Sequence, residues 1–135
     1  MTQLQRLYET ADGLGLQICY FPMEGNHPAI STPDGFIGMD VDRLENSAGE
    51  LVCLAHEMGH CLTGSFYTTG SDLCQRQRCE ERADRWAVER LVPLHDLKRA
   101  LAMGLRPFEL AELFGVTEEF LEKCLRYYRE AKGEI

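Results

Sequence analysis

His56 and His60 stand four residues apart in a stretch of helical periodicity, and that spacing constrains the chain more than any other feature. On a helix, residues four apart share a face, so both imidazoles can reach one ion. Glu57 is rotated by roughly 100° from His56. It would flank such an ion without binding it, placed to take a proton from a water on the metal. The surroundings read as a helix. Ser47 and Glu50 have capping-box spacing, Leu51, Leu54, Ala55, Met58 and Leu62 continue an apolar stripe, and Gly64 is a natural terminator. Gly59 and Cys53 leave little bulk near the imidazoles. H-E-x-x-H is short and arises by chance, so this helical setting is what gives it weight.

A catalytic zinc takes three protein ligands and keeps one position open. The third candidate lies in Cys79-Glu80-Glu81-Arg82-Ala83-Asp84, where Glu80 and Asp84 fall four apart on one face of a helix expected over 77–91. Glu80 would complete a His2Glu set. Asp84, one turn on, would accept the second ring N–H of a ligand histidine and fix its tautomer. Glu81 competes for the ligand role, but shares its face with Arg85. The plainer reading of these acids is a solvated first turn favoured by the helix dipole; the paired histidines tip the balance toward ligands. Ala83 and Ala87 are small enough for the two helices, running antiparallel, to approach closely. Tyr67, soon after the first helix, is a candidate hydrogen-bond donor to the oxyanion of a tetrahedral intermediate, or a packing aromatic. His27 and His95 have no ligand spacing, though either could still reach an oxyanion through space.

The rest of the chain supplies the frame. At 135 residues it holds one compact domain. Residues 2–13 read as an amphipathic helix, Leu16–Phe21 and Phe36–Val41 as short strands, and Glu24–Pro33, interrupted by Gly25, Asn26, Pro28 and Pro33, as a loop or irregular hairpin connection. The expected sheet is small and antiparallel. Short helices follow near 94–103, 107–114 and 117–131. Leu110–Leu121 resembles half a helix-turn-helix, but seven basic residues against eight acidic ones from His95 onward do not make a DNA-reading surface. The formal net charge of −8 likewise disfavours nucleic acid and anionic membranes. No apolar run reaches bilayer length and no secretory signal opens the chain. Six scattered cysteines, with no C-x-x-C pair, are therefore expected to be reduced in a cytoplasm. Cys74 and Cys79 lack the second pair that a structural zinc site needs.

The stretch from Leu54 to Pro93 resembles the ImmA/IrrE metallo-endopeptidases, a zincin-like group of phages, mobile elements and bacteria. The likeness rests on His56-Glu57-Met58-Gly59-His60, Thr63-Gly64-Ser65-Phe66-Tyr67, Glu80 through Ala87, and Leu91-Val92-Pro93; residues 109–117 resemble the tail of phage-type members. The resemblance implies His56, His60 and Glu80 as zinc ligands, Glu57 as base, and a repressor of the helix-turn-helix type as protein substrate. The expected architecture is an α+β, zincin-like domain over residues 1–93, with a helical extension over 94–135 packed on it. A non-catalytic module that sequesters a transcription regulator is the rival reading, against which the intact Glu57 argues.

Overall fold

A computed structural model describes all 135 residues. Helix α1 (Gln3–Gly13) begins at Thr2, whose hydroxyl accepts from the Gln5 amide while the Gln5 side chain accepts from the Thr2 amide. That reciprocal cap starts the helix, and Leu7 and Ala11 bury its apolar face. Three strands follow: β1 (Gln17–Tyr20), β2 (Ala29–Ser31) and β3 (Phe36–Met39). Then come a single 3-10 turn at Val41–Arg43 and helices α2 (Ser47–Thr63), α3 (Leu73–Leu91), α4 (Leu94–Ala102), α5 (Pro107–Phe114) and α6 (Glu118–Arg126). The last runs on into a π-helical turn over Tyr127–Ala131.

The sheet corrects the sequence expectation. Its order is β1-β3-β2, with β2 antiparallel to β3 and β1 parallel to it, so it is mixed rather than antiparallel. The excursion after Tyr20 reverses the chain into β2, and the tight Thr32–Phe36 turn reverses it again. β3 therefore re-enters beside β1 in the same direction. Strand β2 lies within the stretch read as loop, because glycine and proline around it outweighed three residues of strand. Arg43 ties that excursion down by donating to the carbonyls of Met23 and Gly25, and Asp40 accepts from the Met23 amide.

Two helix starts also shift. Asn46 caps α2, accepting from the Gly49 amide, so Ser47 is helical and Glu50 is free to accept from the Tyr8 hydroxyl of α1. Asp72 caps α3, accepting from the Gln75 amide at 2.7 Å, which starts the helix at Leu73. Glu80 is thus in mid-helix, and the acidic first turn does not exist.

The core is continuous from α1 to α6. Leu7, Ile37, Met39, Leu51, Leu54, Met58, Val88, Leu91, Val92, Leu97, Leu110 and Leu121 are its largest fully buried members. Five apolar residues of the helix-turn-helix-like stretch, Leu110, Ala111, Val116, Phe120 and Leu121, are spent on this core, while Leu113 is exposed. No helix is long and apolar enough to cross a membrane.

Candidate metal centre

Helices α2 and α3 pack antiparallel with very little between them. A Cβ on Gly59 would lie 2.5 Å from the Ala83 carbonyl oxygen and 2.9 Å from Ala83 Cα. Only hydrogen fits there, so Gly59 sets the helix separation, and its bulk relief goes to α3 rather than to the imidazoles. On either side of it, within a turn, this approach brings α2's histidines against α3's carboxylates.

The two Nε2 atoms lie 3.2 Å apart. Glu80 reaches both, at 2.7 Å from His56 Nε2 and 3.5 Å from His60 Nε2. His56, His60 and Glu80 offer one donor atom each within 4.8 Å of one another, a group able to hold a metal ion. Each ring is held from behind. His56 Nδ1 donates to Asp84 Oδ1 at 2.9 Å, and His60 Nδ1 donates to the Ser65 carbonyl at 2.5 Å. Gly64, in the left-handed conformation at φ 65°, turns the chain out of α2 and carries that carbonyl back over the last turn. Both rings thereby take the tautomer whose Nε2 lone pair faces inward.

The donor set fits a cation. Two ring lone pairs and a carboxylate converge with no donor of their own between them, an arrangement that is repulsive unless something positive occupies it. In the metal-free protein a proton serves. Burial pulls the His56 imidazole down, but its hydrogen bonds with Asp84 and Glu80 outweigh this and push it up to about 10. His60 rises as well; burial opposes it, and Glu80 and the Ser65 carbonyl prevail. Glu80 is held well below the carboxylate range, mainly by His56 and His60. An environment that concentrates protons here favours a divalent ion in the same place.

An open cleft of about 540 Å³ leads to this group, lined on one side by Ala29, Ile30 and Ser31 of β2 and on the other by Phe66 and Tyr67. Glu57 borders it between them, 9% exposed. The Tyr67 hydroxyl donates to Glu80 Oε1 at 2.7 Å, a bond that pushes the phenol up to about 12. His27 lines the cleft mouth, while His95 is exposed on α4 and takes no part. Glu81 points elsewhere, accepting from Gln77 on the outer face of α3.

Three contributors escaped the sequence reading. The Ser65 carbonyl carries no residue signature at all, since any side chain could stand there. Ser31 lay in supposed loop. Lys123, which donates to Asp84 Oδ2 at 3.1 Å, comes from α6, far along the chain.

Two imidazoles and a carboxylate at the foot of an open cleft, with a further carboxylate beside them, are a donor set that could hold a single metal ion. The description of one protein family, the IrrE N-terminal-like domain (Peptidase_M78), matches residues 11–126. The chain therefore belongs to this metallopeptidase family, as the resemblance had implied. No curated protein matches it, and neither does any solved structure.

Proposed function

We propose that the chain is a zinc-dependent, zincin-like endopeptidase of the gluzincin type, with His56, His60 and Glu80 as ligands, Glu57 as general base and Asp84 as the partner that orients His56. The observation that carries this reading is the convergence of three lone-pair donors with the Glu57 carboxylate on the same cleft. Zinc fits because two neutral imidazoles and one carboxylate are a donor set it favours and leave a position open. Bound there, it would supply a Lewis acid that polarises a peptide carbonyl and acidifies water.

The protein's own residues do the rest. Glu57 takes the proton of the attacking water and hands it to the leaving amine. Asp84 and the Ser65 carbonyl hold the two rings in the ligating tautomer. Tyr67, resting on Glu80 at the cleft wall, is the group we assign to steady the carbonyl oxygen as it gains charge. The cleft is open and partly apolar, which suits an extended segment of a protein substrate. The substrate in this reading is a repressor-type transcription regulator of a phage or mobile element, as the sequence resemblance implies, met in the cytoplasm, where the scattered cysteines would stay reduced. In this reading the helices from 94 onward are an extension of the peptidase domain over 1–93.

The test is to incubate the zinc-loaded protein with the repressor encoded beside it and map any cleavage by mass spectrometry, with chelator and Glu57→Gln as controls. Cleavage abolished by both supports the reading. Tight binding with no cleavage, unaltered by Glu57→Gln, would favour sequestration instead.

A further inference from the structure

Glu57 has one oxygen engaged and one free. The Ser31 hydroxyl donates to Oε1 at 2.7 Å, whereas Oε2 has no protein partner and is not sealed from solvent. From this we infer that Ser31 is a positioning residue for the base: it pins one carboxylate oxygen so that the other is presented to the cleft. The inference rests on Glu57 being the base, as proposed above.

The case begins with the mobility of an unrestrained glutamate. Its side chain has three rotatable bonds, and the last is broad and weakly preferred. Proton transfer requires the accepting oxygen within roughly 2.6–3.2 Å of the water it serves. Helix α2 fixes only where the side chain starts. Its far end needs a partner from another element, and β2 provides the one such partner, Ser31.

Ser31 is well suited to hold still. It pairs with Ile37 on the central strand β3. Immediately after it, the Thr32 amide donates to the Phe36 carbonyl at 2.9 Å and the Gly35 amide to the Thr32 carbonyl at 3.0 Å, closing a tight turn. The hydroxyl is therefore presented from a braced strand rather than from a free loop. The contact also explains why so short a strand borders the cleft: β2 carries Ala29, Ile30 and Ser31 along its wall, and the last of these reaches the base. A neutral hydroxyl is the right chemistry. It restrains the carboxylate without the charge of a lysine or arginine, which would cost the base its proton affinity.

The test compares Ser31→Ala and Ser31→Thr with wild type, all as full-length, zinc-loaded protein. Thr keeps the hydroxyl and suits a strand. One readout is hydrolysis of an internally quenched peptide that wild type cleaves and Glu57→Gln does not. A second, independent of turnover, is the affinity of acetohydroxamate measured by calorimetry, because its acidic proton must pass to a well-placed carboxylate. Ser31→Ala is expected to lower kcat about tenfold with KM little changed, the size of one lost neutral hydrogen bond. It should weaken acetohydroxamate by several-fold, leave zinc affinity and Tm near wild type, and be rescued by Thr. An Ala variant with wild-type kcat and wild-type acetohydroxamate affinity would overturn the inference. So would losses matched by equal losses of zinc or of Tm, which would make Ser31 merely structural. If wild type cleaves no peptide, the endopeptidase reading is what fails, and the acetohydroxamate comparison still decides the role of Ser31.

Discussion

Helices α2 and α3 build the metal centre together, yet they are opposite kinds of helix. Helix α2 is apolar and sunk in the core, with Leu51, Leu54, Ala55, Met58 and Gly59 buried around its functional residues. Helix α3 is rich in charge and half exposed, and buries only Ala83, Ala87, Val88 and Leu91. One gives nitrogens from a rigid interior. The other gives carboxylates from a face that solvent can reach, with Tyr67 and Lys123 placed against them. The contrast is between a helix whose fold and chemistry are inseparable and one whose ligands sit on an ordinary surface scaffold. Substitutions in α2 should therefore damage folding and metal binding together, while those in α3 should separate the two.

The largest effect is expected at the seam. Gly59→Ala drives a methyl into the Ala83 backbone, where no side chain can swing away, so the helices must part. Overpacking of this kind costs roughly 2–3 kcal/mol, or on the order of 10 °C in Tm for a chain this size. The same shift pulls Glu80 off the histidines, so zinc binding should fall with it. Thermal melts and zinc titrations would both have to stay near wild type for this account of the seam to be wrong.

On α3 the two properties should come apart. Glu80→Ala is expected to weaken zinc on the order of 100- to 1,000-fold, about one donor's share of the roughly 10–16 kcal/mol that zinc sites gain, with Tm of the metal-free protein little lowered. Asp84→Ala should cost roughly 10- to 100-fold, the usual size for a partner that orients a ligand. Glu81→Ala, one residue from Glu80 but turned to Gln77, should leave affinity within about twofold. Competition against a chromophoric chelator ranks all three. A Glu81→Ala variant weaker than Glu80→Ala would reverse the assignment.

The same contrast explains how much the sequence could tell. The histidine pair and Glu57 are legible because one helix carries them at fixed spacing, whatever surrounds it. Glu80 and Asp84 are legible as a pair for the same reason, although the start of α3 is not: Asp72 caps it by a local bond that the charged run downstream hides. The sheet was misread because its parallel pair depends on where a loop returns, which is a long-range matter. Ser31 and Lys123 act only through tertiary contacts, and the Ser65 carbonyl is a backbone group that no side chain marks, although the Gly64 turn that places it is local.

Protonation gives a third way to press the comparison, since the rings belong to α2 and the groups that charge them to α3. In the metal-free protein His56 titrates near 10 rather than near 6.5. A raised value means that its contribution to stability is complete below about 6.5 and is lost as pH climbs through about 10. Metal-free Tm should fall across that window. Zinc must displace the proton, so its affinity should instead rise with pH over the same range, and binding at pH 7 should release about one proton from His56. Calorimetry in buffers of different ionisation heat counts that proton. No release at pH 7 would mean that the rings are already neutral and that α3 does not charge them.

The smallest effect is expected from α6, a third helix that reaches the centre only through Lys123. Lys123 meets Asp84 in a contact that is 43% exposed on the lysine side, and such pairs contribute under about 1 kcal/mol. Removing the lysine does two opposed things to zinc. It frees Asp84 to turn away from His56, which weakens binding, and it removes a positive charge near the cation, which strengthens it. Lys123→Met should therefore shift zinc affinity by less than about fivefold, well short of Asp84→Ala. In an Asp84→Ala background the weakening should vanish, because that part runs only through Asp84, and the small gain from removing the charge should remain. A loss as large as that of Asp84→Ala would mean that α6, not α3, fixes the orientation of His56, and the two-helix description of the centre would have to become a three-helix one.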